Sequence, residues 1–430
     1  MQQGAQRLSG RKRFAFNLLM LLGISVTVEV ISLVILLINH GSLAILSQRR
    51  HLAIEQDPFH PGGSFESPMV THPYIGAVLQ PKDDGGELSI DGKYRITEFG
   101  FVDDDLPLHK RSPDRVIVGI VGGSVAKQFS LSGTEILADE LSRSPGFAGK
   151  SFKFVRLASN GYKQPQQLMT INYVLSLGAE FDIVINLDGF NEAVLPGVDN
   201  IPFGVHSAYP RDWGKFVAAQ TSPELIRMAG FISYLRQQQR DEARWADAFP
   251  SCYSPTTQLI WSIRNQQRNG TMSHQIESLS RMAQHGSAYC RSGPPEHFES
   301  KEKVYENCTE IWSRSSLLLH QLCEAKGIRY FHFLQPNQYL ADSKPMGKEE
   351  ASRTIHKGHR YGVAVPVCYP LMQAEGKRLA AAGVAFTDFT DVFADHPEPV
   401  YSDSCCHLIT TGDLIIAKAM GERIRQLLAQ

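Results

Sequence analysis

Four short segments of this 430-residue chain combine residue types that can do covalent chemistry. The first is Gly122-Gly123-Ser124-Val125, where two glycines let the chain turn tightly and a serine offers both a hydroxyl and its own N–H. The second, Ala158-Ser159-Asn160-Gly161-Tyr162, holds a glycine whose N–H no side chain shields. The third is Leu187-Asp188-Gly189-Phe190-Asn191-Glu192, in which the Asn191 amide can donate to a carbonyl oxygen that is becoming an anion. The fourth, Tyr401-Ser402-Asp403-Ser404-Cys405-Cys406-His407-Leu408, sets an imidazole a few residues after a carboxylate, a pairing that makes a general base of fixed tautomer. Taken singly, each has a plainer reading. Gly-Gly-Ser and Asn-Gly are common in turns, Asn191 can cap a helix, and one of 15 histidines near an aspartate means little.

Their places relative to the elements of the chain give them weight. Arg115 to Val121 is an apolar run of the kind a strand buried on both faces needs, and similar runs fall at Phe152 to Leu157, Asp182 to Leu187, Ile328 to Leu334 and Val384 to Phe389. Helical patterns lie between and after them, at Gln164 to Leu177, Lys303 to Ala325, Tyr369 to Ala382 and Thr411 to Leu428. The alternation predicts an α/β fold with a parallel central sheet and right-handed crossovers. In such a sheet ligands bind beyond the carboxyl ends of the strands. The first three segments each follow a strand directly, so they should converge there, and His407 stands just before the last helix.

The remaining chain organises around this domain. Phe14 to Ile38 is strongly apolar with a single charge, Glu29, and exceeds the roughly 20 residues a bilayer-spanning helix needs. Its length favours an uncleaved anchor over a signal peptide cut near Ser42-Leu43-Ala44. Arg7, Arg11, Lys12 and Arg13 before it predict a cytoplasmic N-terminus, residues 1–13, with the bulk of the chain on the periplasmic or lumenal side. Glu29 is read as a charge that a strongly apolar helix tolerates. Residues 39–112 read as a connector, with breakers at His60-Pro61-Gly62-Gly63, and a β-rich lead-in with turns at Asp84-Gly85-Gly86 and Asp91-Gly92. The main domain is expected over 113–430, with an insertion at about 196–300 read as a cap over the site and not a separate domain. Asp103-Asp104-Asp105 lacks the spacing of a calcium loop and reads as a solvated turn. Gln335-Pro336-Asn337 follows the fourth strand and either lines the cleft or is a plain turn.

Taken together and in order, the four segments resemble the SGNH hydrolases, the GDSL-like lipases and esterases, over roughly residues 113 to 195 and 300 to 428. The resemblance implies a flavodoxin-like three-layer α/β/α fold with Ser124 as nucleophile, His407 as base and Asp403 as its carboxylate. It also implies an oxyanion hole of the Ser124 N–H, the Gly161 N–H and the Asn191 amide. Two departures stand out: Gly123 sits where the family name has aspartate, and Asp403 is four residues before the histidine where the family has three. The implied activity is ester hydrolysis or O-acyl transfer on a carbohydrate, envelope or lipid ester. The competing expectation is a catalytically silent binding or assembly protein that kept the fold.

Composition narrows the classes further. A charged fraction of 20% and a formal net charge of -1 leave no basic face for nucleic acid. No C-x-x-C pair marks a zinc site, and neither metal nor cofactor is expected. The seven cysteines predict one to three disulfides if the domain lies outside the cytoplasm, and Cys252 with Cys290 would close the insertion.

Overall fold

A computed structural model describes residues 10–40, 69–81, 93–217, 223–285, 289–356 and 360–429. The breakers of the connector, the two Asp-Gly turns of the lead-in, Ser42-Leu43-Ala44 and Arg7 lie outside the described residues. Two antiparallel hairpins come first, β1 (Met69–His72) with β2 (Gly76–Leu79) and β3 (Arg95–Ile96) with β4 (Val102–Asp103). Five strands then build one sheet: β5 (Arg115–Gly122), β6 (Ser151–Arg156), β7 (Ile183–Asp188), β8 (Arg329–Leu334) and β9 (Ala385–Asp388). Every pairing in it is parallel and the order is β6-β5-β7-β8-β9, so the first strand is interior and the chain winds outward in both directions. That is the doubly wound order whose switch point lies between the first and third strands.

The valine and isoleucine runs explain why these segments are strands. Ile117, Val118, Ile120 and Val121 of β5 and Ile183, Val184, Ile185 and Leu187 of β7 have no exposed surface. β-branched side chains fit a pleated surface covered on both faces. Each such burial is worth about 1.5–3 kcal/mol, so the two strands supply much of the core. Helix α1 (Gly10–His40) precedes the hairpins in the chain, and α2 (Ser124–Ser132), α3 (Thr134–Ser142), α4 (Gln166–Ser176) and α5 (Phe190–Leu195) follow the early strands of the sheet. Next come α6 (Pro223–Asp247), α7 (Pro255–His285), α8 (Lys301–Ala325), α9 (Lys348–Thr354), α10 (Arg360–Ala381) and α11 (Thr410–Leu428). The helix expected from Tyr369 starts earlier, at Arg360, and runs through Pro366 and Pro370. Ala364, Val365, Cys368, Tyr369 and Met372 are all buried, and that packing outweighs the hydrogen bonds the prolines remove.

The segment read as an insertion, about 196–300, is shared between two compact units. Residues 222–282 form a compact unit with residues 1–56, while 57–221 and 283–430 form the other. In the smaller unit the apolar helix spans Phe16–Asn39, long and apolar enough to cross a membrane. Glu29 is not merely tolerated there. Its carboxylate accepts from the Ser254 hydroxyl (2.7 Å) and the Thr256 N–H (2.9 Å), capping the start of α7. The first N–H groups of a helix lack intrahelical partners and carry the positive end of its dipole, so a carboxylate satisfies both needs. Ser32 and Leu36, on the same face of α1, are the buried positions of that helix.

The aspartate run also differs from expectation. Asp103 is buried and pairs with Arg156 at 2.8 Å, while Asp104 pairs with Lys153 at 2.5 Å. The run therefore ties the lead-in to β6; a buried guanidinium and carboxylate satisfy each other where water cannot. All seven cysteines are free thiols here, in place of the expected disulfides. Cys308, Cys323 and Cys368 pack in the interior as small apolar side chains.

Candidate active site

β5 ends at Gly122, and α2 begins two residues later at Ser124. Both glycines are required by contact. A Cβ at Gly122 would stand 2.1 Å from the Leu187 carbonyl oxygen, and one at Gly123 would stand 2.3 Å from Asn191 Nδ2. Gly122 also has φ of 145°, a conformation L side chains rarely adopt. The turn thus sets Ser124 at the first helical position, where its N–H has no intrahelical acceptor.

Gly161 follows β6 in a turn closed by the Tyr162 N–H to the Ser159 carbonyl, and its φ of 73° is left-handed. Asn191 lies in the first turn of α5, after β7. One of its amide N–H bonds is donated to the Tyr162 carbonyl at 2.7 Å, which joins the second and third segments and leaves the other N–H over Gly123. Glu192 reinforces this junction by accepting from the N–H groups of Gly189 (2.9 Å) and Gln164 (2.8 Å) and from Gln167 Nε2 (2.9 Å). Burial, then the nearby Asp188 charge, pushes the Glu192 carboxyl up to about 8. Asp188 itself accepts from Trp312 Nε1 (2.7 Å) and His332 Nε2 (2.8 Å), and His332 Nδ1 shares a hydrogen bond with Ser316 Oγ (2.7 Å). That network is fully buried and anchors the end of β7 from beneath.

The fourth segment closes the arrangement. His407 Nε2 lies 2.7 Å from Ser124 Oγ, across 283 positions of sequence. Its Nδ1 lies 2.5 Å from Asp403 Oδ2. The extra residue between aspartate and histidine is absorbed by a tight turn. Asp403 Oδ1 accepts from the N–H groups of Cys405 (2.9 Å), Cys406 (3.2 Å) and His407 (3.2 Å), so one carboxylate folds the loop and orients the ring together. The Ser402 N–H donates to the His407 carbonyl at 2.9 Å, closing the loop at its neck. For His407, burial opposes the charged ring, but the Asp403 hydrogen bond and charge outweigh it and raise the imidazole to about 9. Asp403 is held below its usual range: burial opposes this, and the His407 bond and charge with the backbone N–H groups prevail.

Three residues of the site have no catalytic signature in the sequence. Gln338 Nε2 donates to the Asp403 carbonyl (3.0 Å), Tyr339 Oη to the Ser404 carbonyl (2.8 Å) and Asn337 Nδ2 to the Cys405 carbonyl (3.2 Å). Of the Gln335-Pro336-Asn337 segment that reads as cleft lining or turn, Asn337 thus braces the histidine loop together with the two residues that follow it. The insertion adds Arg211, which no signal singled out. Its aliphatic stem covers Gly161, a Cβ there meeting Arg211 Cδ at 3.0 Å, and its Nε faces Asp199 at 2.8 Å. Arg211, Pro210 and Phe216 line a shallow cleft with Asn160, Gly161 and Tyr162.

The chain matches no protein-family model, and no curated protein matches it.

Proposed function

We propose that the protein is a serine-dependent esterase or O-acyltransferase of SGNH type. The observation that carries the reading is the continuous relay from Ser124 Oγ through His407 to Asp403, with contacts of 2.7 and 2.5 Å, at the carboxyl edge of a parallel sheet. Neutral His407 takes the hydroxyl proton through Nε2 while Nδ1–H stays on Asp403. Ser124 Oγ attacks the ester carbonyl, and the oxyanion meets the Ser124 and Gly161 N–H groups and the free N–H of Asn191. The imidazolium then protonates the departing alkoxide. The acyl group leaves Ser124 for water or for a sugar hydroxyl, and the same residues serve both outcomes.

The apolar helix supports a membrane-anchored enzyme with its catalytic domain on the periplasmic or lumenal side. That placement motivates a carbohydrate, envelope or lipid ester as substrate. Carbonate extraction and protease protection test the anchor and its orientation. A fluorophosphonate probe tests the chemistry: labelling of the folded full-length chain that disappears in Ser124→Ala and His407→Ala supports it. Absence of labelling in the well-folded wild type refutes it. A catalytically silent protein that kept the fold is the second reading, since fold alone does not fix function; the Asp403–His407 contact supports the enzyme.

A further inference from the structure

Cys405 and Cys406 sit between Asp403 and His407 and take no part in the relay. In extended backbone, neighbouring side chains leave on opposite faces. Here the turn folded around Asp403 Oδ1 brings both thiols to one side, with the sulfurs 3.5 Å apart. Both sulfurs and a ring nitrogen of His407 lie within 4.8 Å of one another. Two thiolates on a tetrahedral zinc ion, each about 2.3 Å from the metal, stand roughly 3.8 Å apart. The pair is therefore already near the spacing a single metal ion imposes. Cys405 is partly exposed, which gives an ion a way in, while Cys406 is buried and fixed. The carbonyls of residues 403, 404 and 405 are each held by a side chain of Asn337, Gln338 or Tyr339, so the turn that presents the thiols is braced before any ion arrives.

We propose that Cys405, Cys406 and His407 form a site for a soft divalent cation, zinc above all, whose occupancy switches off the Ser124 centre. Thiolate and imidazole donors suit zinc over magnesium or calcium. Binding exchanges the two thiol protons for the metal, releasing up to two protons to solvent, and leaves the fourth position to water. Each nitrogen of His407 is already committed, Nδ1 to Asp403 and Nε2 to Ser124. Whichever one the metal takes, the relay is broken. If it takes Nε2, the Asp403 bond to Nδ1–H persists as the carboxylate partner that metal-bound histidines usually keep. The site is absent from motif reading because its thiols are adjacent, not spaced as C-x-x-C.

The switching half of the proposal rests on the serine-enzyme reading; the metal site does not. The test uses the full-length chain in detergent under reducing conditions, titrated with cobalt(II) as a spectroscopic stand-in and then with zinc. The expected result is a near-ultraviolet thiolate-to-cobalt charge-transfer band at one equivalent, displaced by zinc. The band should persist in Ser124→Ala and vanish in the Cys405→Ser/Cys406→Ser double variant. In the wild type itself, zinc should protect Cys405 from alkylation mapped by mass spectrometry, a readout that needs no variant to fold. Fluorophosphonate labelling should fall with zinc and return with chelator, and the zinc needed should rise by about tenfold or more in Cys405→Ser. No band and no protection overturn the site. A band with labelling indifferent to zinc overturns the switch. A chelator-treated wild type that never labels, yet shows the band, sinks the serine-enzyme reading and leaves the metal site standing.

Discussion

Asp403 does two jobs, and Asp403→Asn separates them. Asparagine keeps an Oδ1 acceptor for the N–H groups of residues 405 to 407, so the turn should survive. It presents NH₂ to His407 Nδ1, however, which must then accept, and the proton moves to Nε2 facing Ser124. A base in that tautomer cannot take the seryl proton, a fault worth on the order of 10⁴ in kcat. Protonation works in the opposite direction. With the wild-type imidazole at about 9, only about 3% is neutral at pH 7.5. Removing the carboxylate takes away the bond and the charge that outweigh burial, so the ring's pKa falls and a far larger share of the variant ring is neutral. The wild type should therefore gain activity with rising pH until about 9, while the variant stays flat. The ratio of wild type to variant should be about 300 at pH 7.5 and approach about 10⁴ near pH 10. Hydrolysis of p-nitrophenyl acetate across that range, with Ser124→Ala as the blank at each pH, measures it. A flat wild-type profile, or a ratio that does not grow with pH, refutes the account of Asp403.

Three further outcomes follow from contacts already described or close to them. Gly123→Ala should displace Asn191, since its Cβ would meet Nδ2 at 2.3 Å; kcat should fall by about 10²–10³ with far less change in KM, as steady-state kinetics will show. Asp413 is buried, accepts from Ser132 Oγ at 2.8 Å, and is pushed up to about 7 by burial, so its neutral form is favoured in the fold. Stability from this group is full below about pH 4 and is lost as pH rises to about 7, on the order of 4 kcal/mol, and Asp413→Asn should flatten that part of the melting-temperature profile. Glu350 pairs with Lys344 at 2.9 Å with both side chains fully buried, and accepts from the N–H groups of Val400 and Tyr401 just before the histidine loop. Glu350→Ala strands a buried ammonium, so denaturant titration should show a loss of about 3–5 kcal/mol; a loss under about 1 kcal/mol would mean that water or another group replaces the carboxylate.

What could be read without coordinates was whatever repeats along the chain or follows from local residue type. The runs of β5 and β7 are legible because a strand covered on both faces must be apolar throughout, and the N-terminal helix because a bilayer-length apolar stretch has few other uses. Ser124, Gly161 and Asn191 stood out because they follow strands, and strand ends are where a parallel sheet exposes backbone and side chains. Two facts needed the tertiary structure. The contact between Ser124 and His407 joins residues 283 apart, and the geometry of Asp403 depends on a turn in which one oxygen gathers three N–H groups. Spacing counts residues, and a tight turn can absorb one without moving the ends it connects. Glu29, Asp103 and the Asn337–Tyr339 brace were misread or passed over for the same physical reason. A polar group's role is set by the partner that satisfies it, and each of those partners lies elsewhere in the sequence, at Ser254 and Thr256, at Arg156, and in the loop of residues 403–405.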